Sequence, residues 1–183
     1  VQADDGVVIN QDVTTDTGVL TIDGDTNASV DGNDDIQIGS GVTLQSATSL
    51  SLAATNGDIS TAGTANLIAG TNVVLSDAVT AGGNLNITTN DLTLSAAIAA
   101  GVNDVTITDN DGDGIGLGDA TIVGGVNISG AELQLITAAN LNLDSAGAIE
   151  VDNVTAANSN NVATVILDSA SSILIDSNAS TFN

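Results

Sequence analysis

One short acidic segment has the residue types and spacing to bind a metal ion. Residues 109–114 read Asp-Asn-Asp-Gly-Asp-Gly, so that carboxylates alternate along the chain. The pattern Asp-x-Asp-x-Asp-Gly opens the EF-hand calcium loop, in which oxygen ligands at alternate positions converge on a hard cation. The Glu that closes such a loop would fall at Ala120, and Asp119 lies one residue before it. We therefore expect a calcium-stabilised turn rather than an EF-hand. Its candidate ligands are Asp109, Asp111, Asp113 and Asp119.

A second candidate calcium site lies in residues 23–35, which read Asp-Gly-Asp-Thr-Asn-Ala-Ser-Val-Asp-Gly-Asn-Asp-Asp. Two runs in this segment offer oxygen ligands at alternate positions, and oxygen-only ligand sets select calcium or magnesium over transition metals. The alternative interpretation is that these are ordinary turn residues exposed to solvent. The candidate ligands are Asp23, Asp25, Asn27, Asp31, Asn33 and Asp35.

The composition argues against an enzyme. The chain contains no Lys, Arg, His, Cys or Tyr, so no residue other than a carboxylate is available to activate its many Ser and Thr hydroxyls. Glu132 and Glu150 are the only glutamates, and their positions suggest no acid/base pair for glycoside hydrolysis. We expect no catalytic residues and no cofactor other than calcium.

The charge of the chain limits its partners. Its formal net charge is −23, and no side chain carries a compensating positive charge. Nucleic acid is excluded as an expected partner, because its binding depends on Lys and Arg. An anionic membrane surface would repel the chain, and no apolar run approaches the length of a membrane span. The carboxylates must be solvated, hydrogen-bonded or neutralised by bound cations.

The elements that position these acidic segments are short strands. Aliphatic residues alternate with small or polar ones, which is the pattern of a half-buried strand. Clusters of Gly, Asn, Asp and Ser separate the strands and are typical of turns. No segment has a sustained helical period, so we expect no helix beyond a short cap. Strands are predicted at 42–44, 50–52, 73–75, 85–87, 92–94, 105–107, 126–128, 133–135, 141–143, 149–151 and 173–175.

The spacing of the strands predicts an all-β fold, a parallel β-solenoid. Taking every third strand gives the positions 42, 66, 85, 105, 126, 149 and 173, which repeat every 19–24 residues. Three short strands in each period are what a three-sided solenoid requires. The absence of Pro agrees with strands that are paired on both sides. The alternative is a β-sandwich, whose thicker core usually contains aromatic residues. We divide the chain into an irregular acidic N-terminal segment or cap (1–41) and solenoid repeats (42–183).

Three segments resemble a known family. They are 82–87 (Gly-Gly-Asn-Leu-Asn-Ile), 92–96 (Leu-Thr-Leu-Ser-Ala) and 49–54 (Ser-Leu-Ser-Leu-Ala-Ala). They look like the repeats of filamentous-haemagglutinin-type adhesins, which are large bacterial surface proteins. The resemblance covers residues 40–177 and implies a right-handed parallel β-helix at the cell surface. The secretion domain of that family usually carries an Asn-Pro-Asn-Gly-Ile motif. Because this chain has no Pro, the resemblance does not extend to that domain.

These observations predict an extracellular or cell-surface structural protein. A solenoid ends in unpaired strand edges, so we expect head-to-tail association of copies into a filament, sheath or surface layer. Calcium or salt would relieve the repulsion between acidic copies. The alternative is a stalk or ligand-binding segment of a large adhesin, with loops 23–35 and 109–120 contacting a host or matrix ligand. Because the chain begins at Val1 rather than Met, we expect a processed chain or a fragment.

Overall fold

The structure is a computed structural model that describes residues 1–30, 32–176 and 178–183. The chain folds as a parallel β-solenoid, in which each coil places strands on three faces. Strands of successive coils pair in parallel, as β-solenoids require and sandwiches do not. The predicted fold class is therefore confirmed.

The first four coils have the same order of strands. They contain β1 (Val7–Ile9), β2 (Val13–Thr15), β3 (Leu20–Asp23), β4 (Ile36–Ile38), β5 (Thr43–Ser46), β6 (Ser49–Ala53), β7 (Ile59–Thr61), β8 (Ala65–Ala69), β9 (Asn72–Leu75), β10 (Val79–Ala81), β11 (Leu85–Thr89) and β12 (Asp91–Leu94). The remaining coils contain two short helices and a longer strand. They consist of β13 (Ile98–Ala99), β14 (Val105–Asp109), β15 (Gly114–Gly118), β16 (Val126–Ile128), α1 (Gly130–Gln134), β17 (Ile136–Ser145), β18 (Ala148–Asp152), α2 (Ala156–Ser159), β19 (Val162–Ser169) and β20 (Ile173–Ile175).

The strands are distributed over three faces. The first face contains β1, β4, β7, β10, β13 and the start of β17. The second face contains β2, β5, β8, β11, β14, the end of β17, and β19. The third face contains β3, β6, β9 and β12, followed by β16, β15, β18 and β20. Because β17 runs along two faces, it joins the first and second faces into one sheet.

The core is a set of rows, in which residues at equivalent positions of successive coils stack on one another. In the middle coils, one row on the second face is formed by leucine and isoleucine side chains that are fully buried. It runs through Leu44, Leu67, Ile87, Ile107 and Leu143. Each such side chain contributes roughly 1.5–3 kcal/mol through burial. The narrow interior is filled by these aliphatic rows.

The outer side of the second face carries a polar row. Asn66 donates to the Thr43 hydroxyl at 3.3 Å, and Asn86 donates to Oδ1 of Asn66 at 2.9 Å. Two coils further on, Asn142 donates to the Thr106 hydroxyl at 3.2 Å. These bonds join neighbouring coils outside the backbone ladder. On the second face, these bonds explain why a polar residue lies between the two inward-facing aliphatic residues of a strand.

The coils differ in length more than the sequence predicted. Equivalent residues lie 31, 23 and 20 positions apart in the first three steps, and 36 apart between Thr106 and Asn142. The predicted repeat is correct up to residue 105, but the next step is wrong. Val105 pairs with Leu141, whereas Val126 lies on the third face. The predicted series therefore changes face after residue 105.

An extra strand on the third face causes this change. Strand β16 pairs with β15 and contacts β12 on its other side, so that it lies between them. The loop 119–125 that leads into it folds back over β15. Asn127 holds the loop, because its side chain accepts from the Ile122 N–H at 2.7 Å and donates to the carbonyls of Ile122 and Gly125. Both sides of β15 are therefore buried.

Two short helices occur at corners of the later coils. Helix α1 has a capping box between Ser129 and Glu132, and α2 has one between Thr155 and Asn158. The strand predicted at 133–135 is wrong, because this capping box starts a helical turn that buries Leu133. Within the described part of the chain, no helix has the length and apolar character needed to span a membrane.

The first 41 residues join the solenoid through backbone pairing. Strands β1, β2 and β3 pair with β4, β5 and β6 of the next coil. Residues 24–35 form the connection between β3 and β4. Whether this part acts as a separate cap stays a prediction.

Candidate functional site

Asp109, the first candidate calcium ligand, points into the solenoid. It is the last residue of β14 and only 6% exposed. Its Oδ2 atom accepts from the Gly114 N–H at 2.9 Å and from the Ser145 hydroxyl at 2.7 Å. Its Oδ1 atom is buried without a hydrogen-bond partner among the described residues. Asp109 thus closes the base of the loop 110–113 instead of lying on the loop.

The other three candidate ligands of this region point to different neighbours. Asp111 accepts from the Asn90 amide of the preceding coil and from the Asp113 N–H. Asp113 has its carboxylate against Gly124. Asp119 accepts from the Asn153 side chain of the following coil at 2.7 Å. The structure therefore places these carboxylates on three separate contacts and does not gather them around one point.

The candidate ligands in residues 23–35 are mostly used to hold turns. Asp23 accepts from the Asp25 N–H at 3.1 Å, Asn27 from the Ser29 N–H at 2.7 Å, and Asp35 from the Asp58 N–H at 2.9 Å. The backbone of Asn33 packs against Gly6. Asp31 lies outside the described residues.

Asp25 differs from its neighbours because it is buried. Its Oδ2 atom accepts from both the main-chain N–H and the side-chain amide of Asn56, at 3.2 and 2.7 Å. Asp34 is buried at the same corner. Neither Asp34 nor Asn56 was among the calcium ligands expected from the sequence. Asn56 could be found only from the strand register, which places it one coil after Asp25. We call residues 23–25, 33–35 and 56–58 the acidic corner.

No described group of three or more acidic side chains is arranged to hold a metal ion. The calcium assignment of both segments stays a prediction. A shallow groove of about 190 Å³ on the first face is lined by Val8, Asn10, Gln37 and Ser60 among others, and contains no titratable side chain. The absence of an enzymatic activity also stays a prediction.

Comparison with family models, curated proteins and solved structures finds no match to this chain. The resemblance to filamentous-haemagglutinin-type repeats stays a prediction.

The last described coil has an open side. Strands β19 and β20 pair with β17 and β18, and no described strand covers their other edge. Ile173 and Ile175 continue the core rows of Ile149 and Val151, yet they are 48% and 54% exposed. Apolar residues that are buried in every preceding coil are thus presented to solvent here. This edge is therefore a candidate interaction surface.

The charge of Glu132 in α1 acts on the carboxylate of Asp91 in β12. Partial burial raises the pKa of Asp91, the Leu92 N–H lowers it, and the charge of Glu132 raises it further. Because the pKa is raised in the folded state, this contribution to stability is present at low pH and lost as pH rises through the folded value. Asp91 therefore favours folding under acidic conditions.

Replacing Asp91 with Asn should remove this pH dependence. We expect Asp91→Asn to raise the melting temperature at pH 7 and to have little effect below pH about 4, near the ordinary Asp pKa. Glu132→Gln is the matched variant, because Gln preserves the capping box while removing the charge. Thermal melts followed by circular dichroism across this range test the expectation. An Asp91→Asn profile parallel to that of the unmodified chain would contradict it.

Proposed function

We propose that this chain is an extracellular structural protein, a subunit of a filament, sheath or surface layer, that associates end to end with copies of itself. The open edge formed by β19 and β20 is the observation that carries the proposal. Unpaired strand edges with exposed aliphatic rows favour addition of another parallel strand. The composition supports an extracellular location, because a chain without Lys and Arg offers trypsin no cleavage site.

The two ends of the solenoid are complementary in register. Val13 in β2 begins the core row that runs through Leu44 and Leu143 to Leu167 in β19. If β2 of a second copy follows β19, Val13 of that copy continues the row after Leu167. The hydroxyl residue two positions after this row is also repeated at both ends, since Thr15 pairs with Ser46 and Ser145 pairs with Ser169. The proposed junction repeats a pairing that the chain already makes between its own coils.

Charge opposes this junction. Each copy has a net charge of −23, and no Lys, Arg or His offsets it. Two copies therefore repel each other as they approach. Divalent cations and salt reduce this repulsion. Calcium-dependent assembly follows from this balance.

The purified chain should form filaments in calcium and remain monomeric in chelator. Leu167→Asp should block growth, because it places a charge in the core row at the junction. Ile166→Asp is the matched control, since it adds the same charge on the outward side of the same strand. Negative-stain electron microscopy gives the readout, and circular dichroism verifies that each variant is folded. Monomers alone under both conditions would overturn the proposal.

A second candidate is a stalk or ligand-binding segment of a larger bacterial adhesin. Two exposed loop residues favour it, because Val30 and Val123 are 86% and 94% exposed in the two irregular loops. Exposed apolar residues at loop tips are suited to contact a host or matrix ligand. The same micrographs distinguish the two functions, since a stalk segment gives single short rods that do not grow end to end.

A further inference from the structure

The Asp25 carboxylate has one satisfied and one unsatisfied oxygen. Oδ2 accepts two hydrogen bonds from Asn56, at 3.2 and 2.7 Å. Oδ1 is buried and has no hydrogen-bond partner among the described residues. The whole side chain is 2% exposed. A buried carboxylate oxygen without a partner is destabilising unless a positive charge or a hydrogen-bond donor reaches it.

The chain itself supplies no counter-charge. It contains no Lys, Arg or His, which leaves the N-terminal ammonium as its one fixed positive group. That ammonium is exposed and donates to the Thr21 carbonyl at 2.7 Å. A positive charge that reaches Asp25 must therefore come from solution.

The surroundings of Asp25 are rich in oxygen. Asp34, in the connection that follows Asp25, is also buried, at 4% exposure. The Asp34 carbonyl oxygen would lie 2.8 Å from a Cβ at position 24 and 2.5 Å from one at position 57. The backbone of Asp34 thus packs between Gly24 and Gly57, the neighbours of Asp25 and Asn56. The acidic corner thus contains two buried carboxylates and the main-chain carbonyls of Asp34 and Asp35. Oxygen ligands of this type suit a hard cation.

We propose that the acidic corner binds one hard cation, best matched by calcium, with the Oδ1 atom of Asp25 as its central ligand. Asp34 is the second carboxylate of the site. This set differs from the alternate-position ligands expected from the sequence, because Asp23, Asn27 and Asp35 are engaged by main-chain N–H groups. The site lies within one chain, so it stabilises the monomer and does not depend on the proposed assembly.

Calcium binding to the monomer tests the site. The measurements use the Leu167→Asp chain, in which growth at the junction is blocked. Equilibrium dialysis of this chain in NaCl should show retained calcium, and adding Asp25→Asn should weaken this binding at least about tenfold, as expected for loss of a metal contact. Calcium should also raise the melting temperature of the Leu167→Asp chain, because it binds only the folded state. Asp16→Asn is the control, since it removes the same charge from an exposed turn and should leave both readouts unchanged.

Several outcomes would overturn the site. If the Leu167→Asp chain itself retains no calcium, the proposed site is wrong, whether or not the other variants fold. Equal loss of binding in Asp25→Asn and Asp16→Asn would indicate diffuse screening without a site. A higher melting temperature on adding Asp25→Asn in chelator, with no effect of calcium on the Leu167→Asp chain, would indicate that no cation occupies the acidic corner. Because Leu167→Asp blocks growth at the junction, these measurements report on the site alone, whether or not the unmodified chain forms filaments.

Discussion

Replacing Ile87 with Ala should lower the free energy of unfolding by about 2–5 kcal/mol. Ile87 is 1% exposed and lies in the middle of β11, between Leu67 and Ile107 of the neighbouring coils. Its removal leaves a cavity that the stacked backbones cannot close, because the ladder on both sides fixes the distance between coils. Urea denaturation followed by circular dichroism in the far ultraviolet measures the change.

The neighbouring residue provides the control for this prediction. Thr88 lies on the same strand but points to the outer side of the second face, where it is only half-buried. Thr88→Ala should change the free energy of unfolding by no more than about 0.5 kcal/mol, as for most surface substitutions. Equal losses for the two variants would contradict the alternation of inward and outward residues along β11.

The fold class was predictable because its signal is local. In β11, Leu85 and Ile87 alternate with Asn86 and Thr88, and this pattern alone places the aliphatics inside and the polar residues outside. The repeat of about 20 residues then implied stacked coils. Pairing each strand with the next equivalent one was correct for as long as each coil added one strand to each face.

The extra strand could not be found in this way. Residues 126–128 have the same alternating pattern as residues 105–107, and they follow at a spacing that a normal coil would have. Only the pairing partner distinguishes them, because Val126 lies opposite Ile115 of the third face. The pattern of a strand specifies which side is buried and does not specify its neighbour.

For the candidate sites too, the sequence pattern did not specify which residues become neighbours. Asp109 continues the alternation of Val105 and Ile107, so its inward direction was present in the sequence but was outweighed by the calcium-loop motif. The contact between Asp25 and Asn56 was not predictable, because it spans a coil of irregular length. The burial of Asp34 depends on the same irregular connection. Motifs identified the chemistry of these residues, while the coil register decided their partners.

Placing a side chain at Gly116 should have a large effect because β15 is covered on both sides. A Cβ at this position would lie 2.6 Å from the Ala120 carbonyl oxygen and 2.7 Å from Oδ1 of Asn127. Gly116→Val should therefore displace the loop 119–125 and cost about 1–3 kcal/mol or more, as for other overpacked sites. Urea denaturation of the variant measures this loss. Gly18→Ala is the control, because nothing lies near a Cβ at that position.

Excising the extra strand should rescue the Gly116→Val variant. If residues 119–135 are replaced by the three-residue connection 76–78, which joins β9 to β10, the third face loses β16 and β15 can pair with β12. The atoms that oppose a side chain at position 116 are then absent, so Val should cost far less in the shortened chain than in the full one. A shortened chain that folds but remains equally sensitive to Gly116→Val would contradict the covering of β15 by the loop. A shortened chain that does not fold would show that β16 and α1 are required for the later coils, and that the third face cannot return to a regular stack.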